Sequence, residues 1–175
     1  MKGIYLAAFR ARHPNYNIIY QDINPRCKCD LVGDMLDVNL TEYDFIIATP
    51  PCNYWSRANY RREVSEYSQK TKHLLPEILK RLCKQNKPFI VENVKNKRMF
   101  TEAGLFNLPC HIYFVGRHTY WSNIYFETED IPQEFDFKYG GYIRKTIQDY
   151  GHSNRQGGDN VAKVIERFLE VIHNE

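Results

Sequence analysis

Cys52 and Glu92 are the side chains whose types and surroundings point to chemistry. An ionised thiol is a strong nucleophile, and a carboxyl group is a ready proton donor or acceptor. Each follows a short apolar run: Phe45-Ile46-Ile47-Ala48-Thr49-Pro50-Pro51-Cys52 in one case, Pro88-Phe89-Ile90-Val91-Glu92-Asn93-Val94 in the other. Phe45 to Ala48 is uncharged and rich in isoleucine, which suits a strand buried on both faces of a parallel sheet. Pro50 and Pro51 cannot donate ladder hydrogen bonds, so that strand must stop there, and Pro51 pushes Pro50 into an extended shape. Cys52 is therefore expected on a stiff loop at the carboxyl end of a central strand, the edge of an open α/β sheet where ligands bind. Free cysteines are more often small buried hydrophobes than nucleophiles. Glu92 favours the nucleophile here, because two adjacent parallel strands would bring both side chains to one edge.

Other elements must position that pair. Lys2 to Arg12 accommodates a strand or a helix; its Leu, Ala and Arg content and the His13-Pro14 that follows predict a helix. Asn17 to Ile23 reads as a strand ending near Asp22, and Leu31-Val32-Gly33-Asp34 as a short extended piece ending in another Asp. Tyr54 to Gln69 is polar and aromatic, a loop with some helix beside Cys52. Lys70 to Gln85 is an amphipathic helix with Leu74, Leu75, Ile78, Leu79 and Leu82 on one face, bent at Pro76 or beginning there. Lys87 to Val94 is the next strand, Phe100 to Pro109 a turn and short helix, Cys110 to Val115 a strand, and Ile124 to Phe126 a further short strand. Glu127 to Gly157 is the least regular stretch, and Asp159 to Asn174 is an amphipathic helix with Val161, Val164, Ile165, Phe168, Leu169 and Ile172 aligned. Strands alternating with helices argue for one α/β domain over residues 1–175 with a mostly parallel sheet.

Composition narrows the class. The 175 residues suffice for one domain with a core, and 43% apolar with 26% charged residues fits a globular protein. No apolar run approaches the length of a membrane span, and no secretory signal is evident, so a cytoplasmic location and no membrane partner are expected. Five irregularly spaced cysteines argue against a disulfide framework, and Cys27-Lys28-Cys29 lacks a second ligand pair, so no metal site is expected. The net charge is only +3, yet residues 57–98 hold twelve Lys or Arg against four Glu, a net of +8. A basic middle beginning right after the Cys52 loop suits a polyanion, although solvated helix faces give the same composition. Arg57, Tyr60, Arg61 and Arg62 favour the polyanion, since aromatics among arginines suit phosphates and unstacked bases.

Thr49-Pro50-Pro51-Cys52 and Glu92-Asn93-Val94, in this order and each at a strand end, resemble the catalytic motifs of DNA cytosine-5 methyltransferases. The resemblance implies a Rossmann-like, S-adenosylmethionine-dependent methyltransferase fold acting on DNA. Cytosine carbon 5 is a weak nucleophile until a thiolate adds at carbon 6 and an acid at ring nitrogen 3 stabilises the intermediate. The implied nucleophile is Cys52, held in line by Pro50-Pro51; Glu92 is the acid, Asn93 orients the loop, and the base leaves the duplex to be reached. Asp22-Ile23 matches the position that contacts the ribose and adenine of S-adenosylmethionine, and Asp34 the acidic residue near the adenine amine. Each Asp by itself also reads as a turn or cap. Pro50 is placed with the cofactor, and Gly157-Gly158-Asp159-Asn160-Val161 resembles the closing motif beside its methionine part, with Asn160 and Val161 as contacts. A plain helix N-cap fits that stretch equally. Arg117 matches the first of two arginines, spaced one apart, that hold the flipped cytosine and the catalytic groups.

Three departures accompany the resemblance. Thr119 stands where the second arginine would be, which shifts base recognition toward Arg144 or Lys145. The family's opening strand and aromatic-x-Gly-x-Gly turn have no counterpart, Gly3 being at most a remnant, so the first strand is expected to be missing or altered. The large target-recognition domain is absent, as in small phage-encoded methylases, which would place the protein in a bacterial host cytoplasm. The alternative reading is a methyltransferase-shaped module that grips DNA or a protein without catalysis, or one subunit of a split enzyme whose partner chain or second copy supplies the missing strand. A cysteine enzyme of another kind is disfavoured, because no histidine sits in an obvious pairing motif.

Overall fold

The structure, a computed structural model, describes residues 10, 12–131 and 161–174. The chain divides into two compact units, residues 1–42 and 43–175. The helix expected over Lys2 to Arg12 lies largely outside the described residues, of which residues 10 and 12 are helical.

In the first unit, β1 (Gln21–Asp22) pairs in parallel with β2 (Leu31–Val32), Gln21 opposite Leu31 and Asp22 opposite Val32. The strand expected over residues 17–23 is thus only two residues long. Side chains shorten it at both ends: the Tyr20 N–H donates to the Asp30 carboxylate at 2.8 Å, and the Asn24 N–H donates to Asp22 Oδ1 at 2.8 Å. That second bond turns the chain into a 3₁₀ segment, Pro25–Cys27, capped by the Asn24 side chain and closed by Lys28 at φ 49°. Arg10 pairs with Asp30 and lies 4.4 Å from the centre of the Tyr20 ring.

The second unit holds a four-stranded sheet in the order β3-β4-β6-β5, with β3 at Ile46–Ala48, β4 at Phe89–Val94, β5 at His111–Val115 and β6 at His118–Ser122. β3 and β4 are parallel; β6 runs antiparallel to both of its neighbours. The sheet is therefore mixed, correcting the expectation of a mostly parallel one: β3, β4 and β5 share a direction, and the reversed β6 is inserted between the last two. The cause is local. A two-residue turn, Gly116-Arg117, folds β6 straight back on β5, with Gly116 at φ 57°, a conformation in which a Cβ is strained. The run Ile124 to Phe126, expected as a strand, is irregular. β3 is an edge strand among the described residues and only half-buried, not buried on both faces.

The helix expected over Lys70 to Gln85 is two helices, α1 (Glu66–Thr71) and α2 (Leu74–Leu82). Pro76 explains the break: it has no N–H for the Lys72 carbonyl and its ring would clash there, so the helix must restart with Pro76 in its first turn. Leu75, Ile78, Leu79 and Leu82 form the buried face of α2 as expected. A short α3 (Lys97–Thr101) is capped by Asn96, whose side chain accepts the Arg98 N–H at 3.0 Å. The last helix, α4, covers 161–174 and buries Val164, Ile165, Phe168 and Leu169. Phe168 meets Phe45 and Phe126 edge-on, with ring centres 6.5 and 6.3 Å apart. No helix among the described residues is long and apolar enough to cross a membrane.

Asn123 locks the start of β4. Its Oδ1 accepts the Phe89 N–H at 2.9 Å and its Nδ2 donates to the Lys87 carbonyl at 3.0 Å. Asn123→Ala leaves the Phe89 N–H without that acceptor next to a fully buried ring. We expect a loss of about 1–3 kcal/mol, read as a lower urea midpoint at unchanged slope.

Candidate active site

β3 and β4 run side by side with Ile46 opposite Phe89 and Ala48 opposite Val91. The next pair along would be Thr49 and Glu92, so the loop carrying Cys52 leaves the sheet where Glu92 projects. Asn93 fixes that loop. Its buried Nδ2 donates to the Pro50 carbonyl at 2.9 Å, a main-chain acceptor of a buried residue that no ladder bond serves. Beyond Cys52 the chain tightens into a turn, the Ser56 N–H donating to the Cys52 carbonyl at 2.8 Å. Buried Asn96 then donates to the Trp55 carbonyl, and Asn59 donates to the Asn53 carbonyl and to Ser68 Oγ, both at 2.9 Å. The Cys52 loop is thus held from β4, from the α3 cap and from α1.

Cys52 is half-buried, and its thiol pKa is raised, first by burial and second by the negative charge of Glu92; its own backbone N–H opposes the shift. The two groups therefore feel each other across the sheet edge. Two negative charges in a partly dry site repel, so the Glu92 charge opposes ionisation of the thiol beside it.

Glu92 also has a partner that sequence reasoning missed. His118 Nδ1 shares a hydrogen bond with Glu92 Oε1, and both side chains are largely buried. Register explains the meeting. Glu92 lies opposite Tyr120, and His118, two residues before Tyr120, projects from the same face. Thr119 lies opposite Asn93 on the other face and is fully buried. Arg117 is in the β5–β6 turn, its carbonyl accepting the Lys95 N–H at 2.6 Å. Only a correct strand pairing could have revealed His118, since 26 residues separate it from Glu92. Tyr120 is fully buried, its hydroxyl has no hydrogen-bond partner among the described residues, and its pKa is driven up by burial and then by Glu92, so it stays a neutral phenol.

Arg57, Tyr60 and Arg61 are exposed on the loop after Cys52, Tyr60 at 87%; Arg62 is partly buried and donates from Nε to the Asn59 carbonyl at 3.0 Å. In the first unit, Asp22 and Asp34 each accept a local turn N–H, from Asn24 at 2.8 Å and Leu36 at 2.9 Å, and Ile23 is 68% exposed. Val161 is half-buried at the start of the described part of α4, while Asn160, Arg144 and Lys145 lie outside the described residues. No cluster of three or more His, Cys, Asp or Glu among the described residues could hold a metal ion.

Parallel pairing of β3 and β4 thus brings the thiol of the Cys52 loop and the Glu92 carboxyl to one edge of the sheet. A family model for the C-5 cytosine-specific DNA methylase matches residues 3–107, spanning both motifs. The chain belongs to the C-5 cytosine-specific DNA methylase family. That family uses S-adenosylmethionine and acts on DNA. Arg117 and Val161 lie beyond the matched segment, and no curated protein and no solved structure matches the chain.

Replacing Glu92 with Gln keeps an acceptor for His118 and removes the charge that disfavours the thiolate. At any pH below the Cys52 pKa the variant holds more thiolate. Alkylation of Cys52 by iodoacetamide near neutral pH, followed by peptide mass spectrometry, should run several-fold faster in Glu92→Gln than in the unsubstituted protein. Burial, the larger cause, persists, so the rate stays below that of an exposed thiol.

Proposed function

We propose that this chain transfers a methyl group to cytosine carbon 5 in DNA, with Cys52 as nucleophile and Glu92 as acid. The supporting observation is the charge coupling of Cys52 with Glu92 at the carboxyl ends of the paired β3 and β4. The Cys52 thiolate forms a sulfur–carbon bond at carbon 6 while Glu92 gives its proton to ring nitrogen 3, and the displaced electron pair makes carbon 5 nucleophilic. S-adenosylmethionine supplies the methyl group when bound. Loss of the carbon 5 proton to solvent base then breaks the sulfur–carbon bond and returns the thiolate, and ring nitrogen 3 gives its proton back to the Glu92 carboxylate. Asn93, by holding the Pro50 carbonyl, keeps the thiol on a fixed loop rather than a floppy one.

The first unit offers groups of suitable chemistry for the cofactor's nucleoside. The carboxylates of Asp22 and Asp34 are oriented by their turn bonds, and since a carboxylate has about four acceptor positions, a hydroxyl or amine can still be met. Ile23 is an exposed aliphatic side chain of the kind that covers a purine face. The roles of Pro50, Asn160 and Val161 toward the cofactor, and of Arg117 toward the base, rest on the resemblance. Arg57, Tyr60, Arg61 and Arg62 are assigned to the DNA strand, the exposed Tyr60 ring as a stacking surface.

Duplex DNA carrying 5-fluorocytosine tests the assignment, because fluorine cannot leave carbon 5 as a proton does and the adduct persists. With S-adenosylmethionine present, the unsubstituted protein should form a covalent complex stable to denaturing electrophoresis, and Cys52→Ala should form none and transfer no methyl group. An adduct that survives in Cys52→Ala would disprove the role of Cys52. Tight DNA binding by a protein that never transfers methyl would identify a binding module instead.

The arginines are tested separately. Arg57→Ala with Arg61→Ala removes two phosphate partners, so the slope of log affinity against log salt should fall by about 2. Fluorescence anisotropy over a salt series reads it directly.

A further inference from the structure

We infer that His118 is a positioning residue for the acid, holding the Glu92 carboxyl group toward the base. The inference rests on the methyl-transfer reading and adds a residue to it. Three observations lead there. His118 Nδ1 and Glu92 Oε1 are hydrogen-bonded. The residue at the second-arginine position, Thr119, projects from the opposite face of the sheet, so it cannot reach Glu92 from β6. The bond is shielded, the side chains of His118 and Glu92 being only 23% and 14% exposed, so water competes with it far less than at an open surface.

A free carboxyl rotates about its last torsion, and an acid whose two oxygens exchange places is aimed at ring nitrogen 3 only part of the time. With Oε1 tied to the imidazole, Oε2 becomes the oxygen presented to the base. The groups facing this bond are few among the described residues. Tyr120 stands beside His118 on β6, ring centres 6.3 Å apart, and directly opposite Glu92; Cys52 faces Glu92 from the β3 side. Val94 and Val115, the ladder partners of His118, carry no charge. Neither neutral Tyr120 nor Cys52 replaces the imidazole as a fixed donor to Oε1. The side chain that meets Glu92 from β6 is thus His118, on the face that the pleat turns toward the carboxyl group.

Asn and Leu are nearly the same size and shape, and Asn Nδ2 falls close to where His Nδ1 sits. A packing role would favour His118→Leu over His118→Asn; a hydrogen-bonding role favours the reverse. Steady-state methylation of a cytosine duplex should show kcat lowered about 10²-fold in His118→Leu with KM for DNA little changed, and most of that loss restored in His118→Asn. Adduct formation with the 5-fluorocytosine duplex should slow in the same order. Equal kcat for His118→Leu and the unsubstituted protein, or no advantage of Asn over Leu, overturns the inference alone. An unsubstituted protein that neither methylates nor traps the fluorinated base overturns it together with the reading beneath. One further measurement needs no variant and no activity. Ring nitrogen–proton spectra of the unsubstituted protein should show the His118 Nδ1 proton far downfield and protected from solvent exchange; its absence also overturns the inference.

Discussion

Parallel pairing of β3 with β4, Ala48 opposite Val91, is the constraint from which the site follows. In a parallel ladder both strands end at the same edge, so residues just past the ladder on one strand and at its end on the other must be neighbours. Pro50 and Pro51 then convert a strand end into a loop start, since neither can donate to a further ladder bond. What would otherwise be a slack exit is closed by one buried amide, Asn93 Nδ2 on the Pro50 carbonyl at 2.9 Å. Asn93 follows Glu92 directly, so the residue that fixes the thiol's loop and the residue that bears the acid move as one unit of β4. The pleat sends their side chains to opposite faces, which is why one can serve the scaffold while the other serves the site.

The electrostatics of the edge are those of a confined negative charge. Glu92 raises the pKa of Cys52 and of Tyr120, in both cases after the larger effect of burial. Burial amplifies each of these couplings by removing the water that would screen them. Among the described residues, His118 is the hydrogen-bond partner of the Glu92 carboxyl group. The site is therefore a balance: a carboxyl group that holds back the ionisation of its neighbours, and is steadied by an imidazole from the adjacent reversed strand.

Around this centre the polar loop from residue 53 to residue 65 is organised by side chains more than by regular structure. Asn59, Asn96 and Gln69 all donate to main-chain carbonyls of the loop. Such bonds do for a loop what a ladder does for a strand, satisfying carbonyls that have no other acceptor role to play. The loop can then carry exposed Arg57, Tyr60 and Arg61 outward on a firm base. Arg98 belongs to the same support: bound to Glu63 and Glu102, it is held in its charged form and lies 5.7 Å from the centre of the Tyr54 ring. Its charge is thus committed to the loop rather than to a ligand.

The sequence by itself determined the features that depend on neighbours along the chain. The apolar runs ending at Ala48 and Val94, the stop at Pro50-Pro51, the apolar face of α2 and the amphipathic α4 were all legible, because hydrophobic period and missing N–H groups act locally. The Cys52–Glu92 pairing was legible too, through the shared edge that parallel strands impose. What only the tertiary structure decided was which strand lies beside which. Inserting β6 backwards between β4 and β5 made the sheet mixed, set β3 at its described edge and turned His118 rather than Thr119 toward Glu92. Period and propensity carry no record of that choice, for a strand's alternation says which residues share a face and nothing about what the face will meet.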